Sequence, residues 1–161
     1  MNKSMKKRGV APYLAGAAVA VFGLSGTAFA ASTTIPYTQA QAKAGKTVYS
    51  SQCASCHGAN LQGVAAPAIA GTNFLKTAQT NKWSLQTIDQ IVTNNMPFSA
   101  PGSLKPKQYA DVMAYLLAAN CYKAGSTPFP TKAPSSFANI QMKPPTSKNP
   151  KADANGVCPV G

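Results

Sequence analysis

Apolar residues recur at helical spacing in three stretches of the chain. The first runs from about Gln39 to Gln52, rich in Ala and Lys, with Thr38 placed as an N-cap. The second begins at Ser84, where Leu85, Ile88, Ile91 and Val92 fall on one face. Trp83 and Ile88 occupy the N′ and N4 positions of a hydrophobic staple around Ser84, and Pro97 requires the helix to end by Met96. The third opens at Pro106, a good first helical residue. It aligns Tyr109, Val112, Met113 and Leu116, and Asn120 is its stop. No stretch keeps the alternation of a strand. Gly58 to Gly71 is a loop of small residues, and from Tyr122 onward the pattern dissolves. Seven of the 13 prolines lie between Pro128 and Pro159, so this part is not regular helix. The expected fold class is all-α with an irregular, Pro-rich C-terminal tail.

The first thirty residues read as an address. Lys3, Lys6, Lys7 and Arg8 form a basic head, Val10 to Leu24 is apolar, and Ala28-Phe29-Ala30 is a small-x-small cleavage pattern. The expectation is a secretory signal peptide over 1–30, cut after Ala30. The competing reading is an uncleaved anchor, against which stand the short apolar stretch and the lack of a charged flank after it. Cleavage leaves a domain over 31–121 and an extension over 122–161, with no membrane span. The expected location is a bacterial periplasm, an oxidising compartment.

Composition narrows the chemistry. The 161 residues suit one domain with extensions. There are 15 Lys and Arg against three acids (Asp89, Asp111 and Asp153), and glutamate is absent. Paired-carboxylate hydrolysis and carboxylate cages for calcium or magnesium are therefore excluded. A single histidine excludes sites with two His ligands on one metal. Beyond residue 30 there are eleven lysines and no arginine, a poor set for reading nucleic acid. With so few carboxylates, stability should depend only shallowly on acid pH.

A core with long loops and few large side chains buries little apolar area, and such small domains commonly need a staple, a metal or a cofactor. Cys53-Ala54-Ser55-Cys56-His57 reads C-x-x-C-H, the attachment signature of c-type haem. Thiols three residues apart can each add to a vinyl group of one porphyrin, and the adjacent His57 can supply the proximal imidazole. One motif means one haem c, held covalently through Cys53 and Cys56. Two other readings compete. A structural zinc site could recruit Cys121 and Cys158, leaving His57 unexplained. A thioredoxin-like pair needs a strand-helix setting absent here.

With His57 used, the sixth position falls to a methionine, a lysine or nothing. Met113 lies on a helical apolar face and Met142 in the tail. Met96 follows a helix, precedes Pro97, and stands in a turn-forming run 39 residues after His57. It is the expected ligand, with gap-filling by a loop methionine as the alternative.

These motifs resemble class I cytochromes c, specifically the small bacterial periplasmic monohaem kind, over roughly Gln39 to Asn120. Gly45 and Tyr49 look like that family's small-plus-aromatic contact with the last helix, and Val112, Tyr115 and Leu116 like the answering surface. Pro67 resembles the proline whose carbonyl receives the proximal imidazole N–H. Met96-Pro97 resembles the axial methionine motif. Trp83 resembles the tryptophan that contacts a haem propionate, although its staple role also accounts for it. The resemblance implies a cytochrome c-like helical domain wrapped around one covalently attached haem, with His57 and Met96 as iron ligands.

The function implied is that of a one-electron carrier, not an enzyme: free, or serving as subunit or acceptor of a periplasmic dehydrogenase. The alternative is a haem-based sensor or small-ligand enzyme with an open sixth site. Lys43, Lys46, Lys76, Lys82, Lys105 and Lys107 would steer the carrier to an acidic redox partner, a dehydrogenase or terminal oxidase. Solubility accounts for any single one of them. Cys121 and Cys158 are expected to form a disulfide that ties the tail back, with free thiols or an intermolecular bridge as the alternatives.

Overall fold

The computed structural model describes residues 35–144 and 149–161. The expected signal peptide over 1–30 lies outside the described residues. Among the described residues there are five α-helices, in order α1 Gln39–Gln52, α2 Ala54–His57, α3 Thr72–Thr80, α4 Leu85–Asn95 and α5 Pro106–Ala119. A 3₁₀ turn at Ser135–Asn139 interrupts the tail. Among the described residues no strand forms, only an isolated bridge between Ser84 and Gln141. No described helix is long and apolar enough to cross a membrane.

Local chemistry sets the helix ends. The Thr38 hydroxyl accepts from the Gln41 amide at 3.2 Å, and the Gln41 side chain accepts from the Thr38 N–H at 3.3 Å. These reciprocal bonds satisfy two donors that a helix start leaves open. Ser84 and Thr87 repeat the device at α4. α5 starts with Pro106 at its first position, and Gln108 Oε1 accepts from the Lys105 N–H at 2.9 Å. α3 was not among the three expected helices, and α2 is a single turn on the cysteine motif itself.

The main packing is α1 across α5. Gly45 is buried at the crossing, where a Cβ would overlap the Asp111 carbonyl and come within 2.9 Å of Tyr115 Cβ. Its missing side chain lets the two backbones meet. One turn on, the rings of Tyr49 and Tyr115 lie 5.1 Å apart at 48°, a tilted pair of the favoured kind.

α5 differs from the one-faced helix that its pattern suggests. Every residue from Tyr109 to Ala119 is buried, as befits a helix covered on all sides. The tail supplies part of that cover. Phe129, Phe137, Met142 and Val160 are buried in the same core as α1 and α5, and the Phe129 and Phe137 rings stand 5.3 Å apart. Backbone polar groups of the tail find partners along the way. The Gln41 amide both donates to Phe129 O (2.9 Å) and accepts from Phe129 N (2.7 Å). Leu85 N donates to Ile140 O at 2.7 Å, and Cys158 N to Ala119 O at 2.8 Å. Lys46 Nζ donates to Val160 O at 2.8 Å. The irregular chain is thus packed without forming regular structure.

Candidate haem site

The site is built at the end of α1. Cys53 closes α1 and opens α2, its N–H donating to Tyr49 O at 2.9 Å and its carbonyl accepting from His57 N at 3.0 Å. Cys53 and Cys56 are therefore one helical turn apart, and both are free thiols; Cys53 is half-buried and Cys56 exposed. Beneath them the Tyr49 hydroxyl donates to Gly58 O at 2.6 Å. Burial, with Tyr115 and Cys53 adding to it, holds the Tyr49 phenol well above its usual range, so it remains a donor.

The loop after the motif folds back onto it. The amides of Val64, Ala65 and Ala66 all point to Cys56 O at 3.0–3.1 Å, and Gly63 N donates to His57 O at 2.8 Å. Gly63 has φ 81°, and a Cβ there would stand 2.6 Å from Ala68 N, so the turn requires glycine. This fold-back brings Pro67 to the imidazole: His57 Nδ1 lies 2.8 Å from Pro67 O. Since a carbonyl only accepts, the proton sits on Nδ1. In the neutral ring that leaves the lone pair on Nε2, the nitrogen a metal would take.

Two of the competing readings lose ground on this geometry. A thioredoxin-like pair needs a strand leading into the cysteine turn, whereas here the helix α1 leads into it and no strand forms among the described residues. The four cysteines do not converge either. Cys121 and Cys158 are paired as a disulfide with Cα atoms 5.2 Å apart. Among the described residues no group of three or more His, Cys, Asp or Glu gathers to hold a metal ion. The zinc reading is therefore dropped.

Met96 caps the C-terminus of α4 and is half-buried. Its carbonyl accepts from the Tyr109 hydroxyl at 2.7 Å, a contact that the apolar-face reading of Tyr109 missed. Trp83 is half-buried, its ring 6.4 Å from that of Phe74. Its backbone is tied on both sides, to Ala78 O (2.8 Å) and from Met142 N (2.9 Å). Met142 itself is buried in the core.

The large apolar side chains left most exposed are Phe98 at 84% and Val64 at 73%. They sit in the loops that carry Met96 and Pro67. Two free thiols one turn apart, an imidazole with one nitrogen tied and the other open, and uncovered apolar loops together fit a flat, apolar, iron-bearing macrocycle.

Residues 40–116 match the family described as cytochrome C oxidase, cbb3-type, subunit III. The chain carries a c-type cytochrome domain. A solved structure, that of the sulfane dehydrogenase SoxCD from Paracoccus pantotrophus, resembles the chain at 23% identity with a TM-score of 0.46. That likeness covers 63% of this chain and 52% of the other, so the chain spans about half the length of the protein matched. No curated protein sequence matches. The cytochrome fold accounts for the α1–α5 crossing and for the helical turn bearing the cysteines. Electron transfer is the role that such a domain implies.

Proposed function

We propose that the protein is a periplasmic monohaem cytochrome c that carries single electrons between redox partners. In this reading haem c is bonded through Cys53 and Cys56 and its iron is held by His57 and Met96. The observation that carries it is the 2.8 Å contact of His57 Nδ1 with Pro67 O beside two free thiols. A haem held there by Cys53, Cys56, His57 and Met96 would supply a reversible one-electron couple.

The chain's own residues do the rest. The Pro67 carbonyl fixes the tautomer and plane of the imidazole. The three amides on Cys56 O hold the proximal loop against the turn. Neither protein ligand has to move when the charge changes, which suits outer-sphere transfer. All ten described lysines are exposed, Lys43, Lys46, Lys76, Lys82, Lys105 and Lys107 among them. Two of the three aspartates, Asp89 and Asp111, are buried. Such a coat steers the carrier toward an acidic redox protein, a dehydrogenase or a terminal oxidase. Residues 1–30 direct export, and no described helix beyond them is long and apolar enough to cross a membrane.

Intact mass of the protein recovered from a periplasmic extract tests the attachment. One added haem is expected, lost in the Cys53→Ser, Cys56→Ser double variant. The ferric spectrum tests the axial set: a methionine-to-iron charge-transfer band should be present and should vanish in Met96→Ala. An unmodified mass sinks the proposal. A high-spin ferric spectrum with immediate cyanide binding replaces the carrier by a ligand-binding haem protein.

A further inference from the structure

The segment 97–104 between α4 and α5 has little holding it. Its own bonds are two turns, Ala100 N to Pro97 O at 2.9 Å and Ser103 N to Ala100 O at 3.2 Å. The bonds that join its two ends to a helix side chain meet at one atom. The hydroxyl oxygen of Tyr109, on α5, donates to Met96 O at 2.7 Å and accepts from Leu104 N at 3.4 Å. Among the described residues no other side chain hydrogen-bonds this segment to a helix. Tyr109 is itself 7% exposed and anchored in the first turns of α5. One phenol therefore closes the neck of an eight-residue loop.

We propose that Tyr109 is a positioning residue for the sixth iron ligand: its hydroxyl holds Met96 at the loop neck and limits how often the thioether leaves the metal. The claim rests on the axial role given to Met96 above. A thioether is a weak ligand, so its occupancy depends on the backbone that presents it. A backbone carbonyl tied to a buried hydroxyl does not drift with the loop. Without the hydroxyl, both the Met96 carbonyl and the Leu104 amide lose their partner and the neck can open. The loop then samples open states in which an outside ligand reaches the iron. The phenyl ring of a Tyr109→Phe variant retains the packing of α5, so the fold is kept.

The test uses the ferric holoprotein and cyanide, which binds only after Met96 has left. Wild type, Tyr109→Phe, Met96→Ala and Tyr122→Phe are compared. The last removes a hydroxyl bonded to the Lys143 backbone, away from the loop. In Tyr109→Phe the rate of cyanide binding is expected to rise about fivefold, the factor matching one net hydrogen bond. In Tyr122→Phe it stays at the wild-type value, although the thermal midpoints of the two variants fall alike. Hydrogen exchange of the 97–104 peptide should quicken by a similar factor in Tyr109→Phe alone. If wild type and Met96→Ala both show the methionine-dependent difference but Tyr109→Phe binds cyanide at the wild-type rate, the positioning role is overturned and the axial assignment stands. If wild type itself binds cyanide as fast as Met96→Ala, the axial assignment falls and this inference falls with it.

Discussion

Gly45 of α1 lies against the Asp111 carbonyl of α5, with no room for a methyl group between them. The neighbours that a Cβ would strike are the backbone of Asp111 and the first carbon of Tyr115, neither of which can swing aside. Gly45→Ala should therefore force the helices apart and strip contact from the Tyr49–Tyr115 pair. The expected loss is about 1–3 kcal/mol, the range for overpacking a tight contact. Chemical denaturation of the holoprotein followed by far-UV circular dichroism measures it. An unchanged midpoint would mean that the crossing is looser than described.

Asp89 is buried on α4, and burial pushes its carboxyl above the usual carboxylate range. The folded state thus favours the protonated acid more than the unfolded chain does. Its contribution to stability is fully present below the unfolded value and is lost as pH rises through the folded one. Stability should accordingly fall, not rise, as pH increases through the carboxylate range. Asp89→Asn should remove that slope and raise the thermal midpoint at neutral pH. Melting curves from strongly acid to neutral pH, wild type against variant, decide it; parallel curves would contradict the assignment.

The tail belongs to the core as much as the helices do. Phe137 is buried against Phe129. Phe137→Ala should cost about 3–5 kcal/mol, the range for emptying a buried aromatic site. The ferric haem spectrum should be unchanged. Thermal unfolding with and without the substitution reads the first effect, and absorption spectroscopy the second.

The bridge between Cys121 and Cys158 closes a long loop around this tail. Replacing both by serine should lower stability by up to about 4 kcal/mol, the chain-entropy value for a loop of this length. The charge-transfer band expected of the proposed haem should survive, since neither cysteine belongs to the Cys53–His57 turn. A reducing agent applied to wild type should reproduce the shift in midpoint; no shift under reduction would mean that the thiols are not paired.

Legibility of the sequence followed how local each feature is. α1, α4 and α5 could be read because apolar periodicity, a capping residue and a proline each marked them. α3 could not. Its nine residues begin Thr-Asn, it has Gly71 rather than a capping side chain at its start, and it buries only Leu75 and Ala78. The C-x-x-C-H turn was plain, since its three residues fall within five positions. The contact between Tyr109 and Met96 was hidden, because it joins a hydroxyl to a backbone carbonyl 13 residues away and leaves no mark on periodicity. The tail misled in a similar way. Its prolines correctly announced irregular backbone, yet Phe129, Phe137, Met142 and Val160 enter the core at spacings that follow no repeat. Tertiary wrapping likewise buries α5 on faces that its own pattern leaves undefined.

The withdrawal of the acids has an outward effect. Asp153 is the only exposed side-chain carboxylate among the described residues, and its Oδ1 is occupied by the amides of Asn155 and Val157. The face turned to the surroundings is therefore almost wholly lysine ammonium. A docking protein meets cations nearly alone, so the carboxylates that complete each pair have to come from that protein.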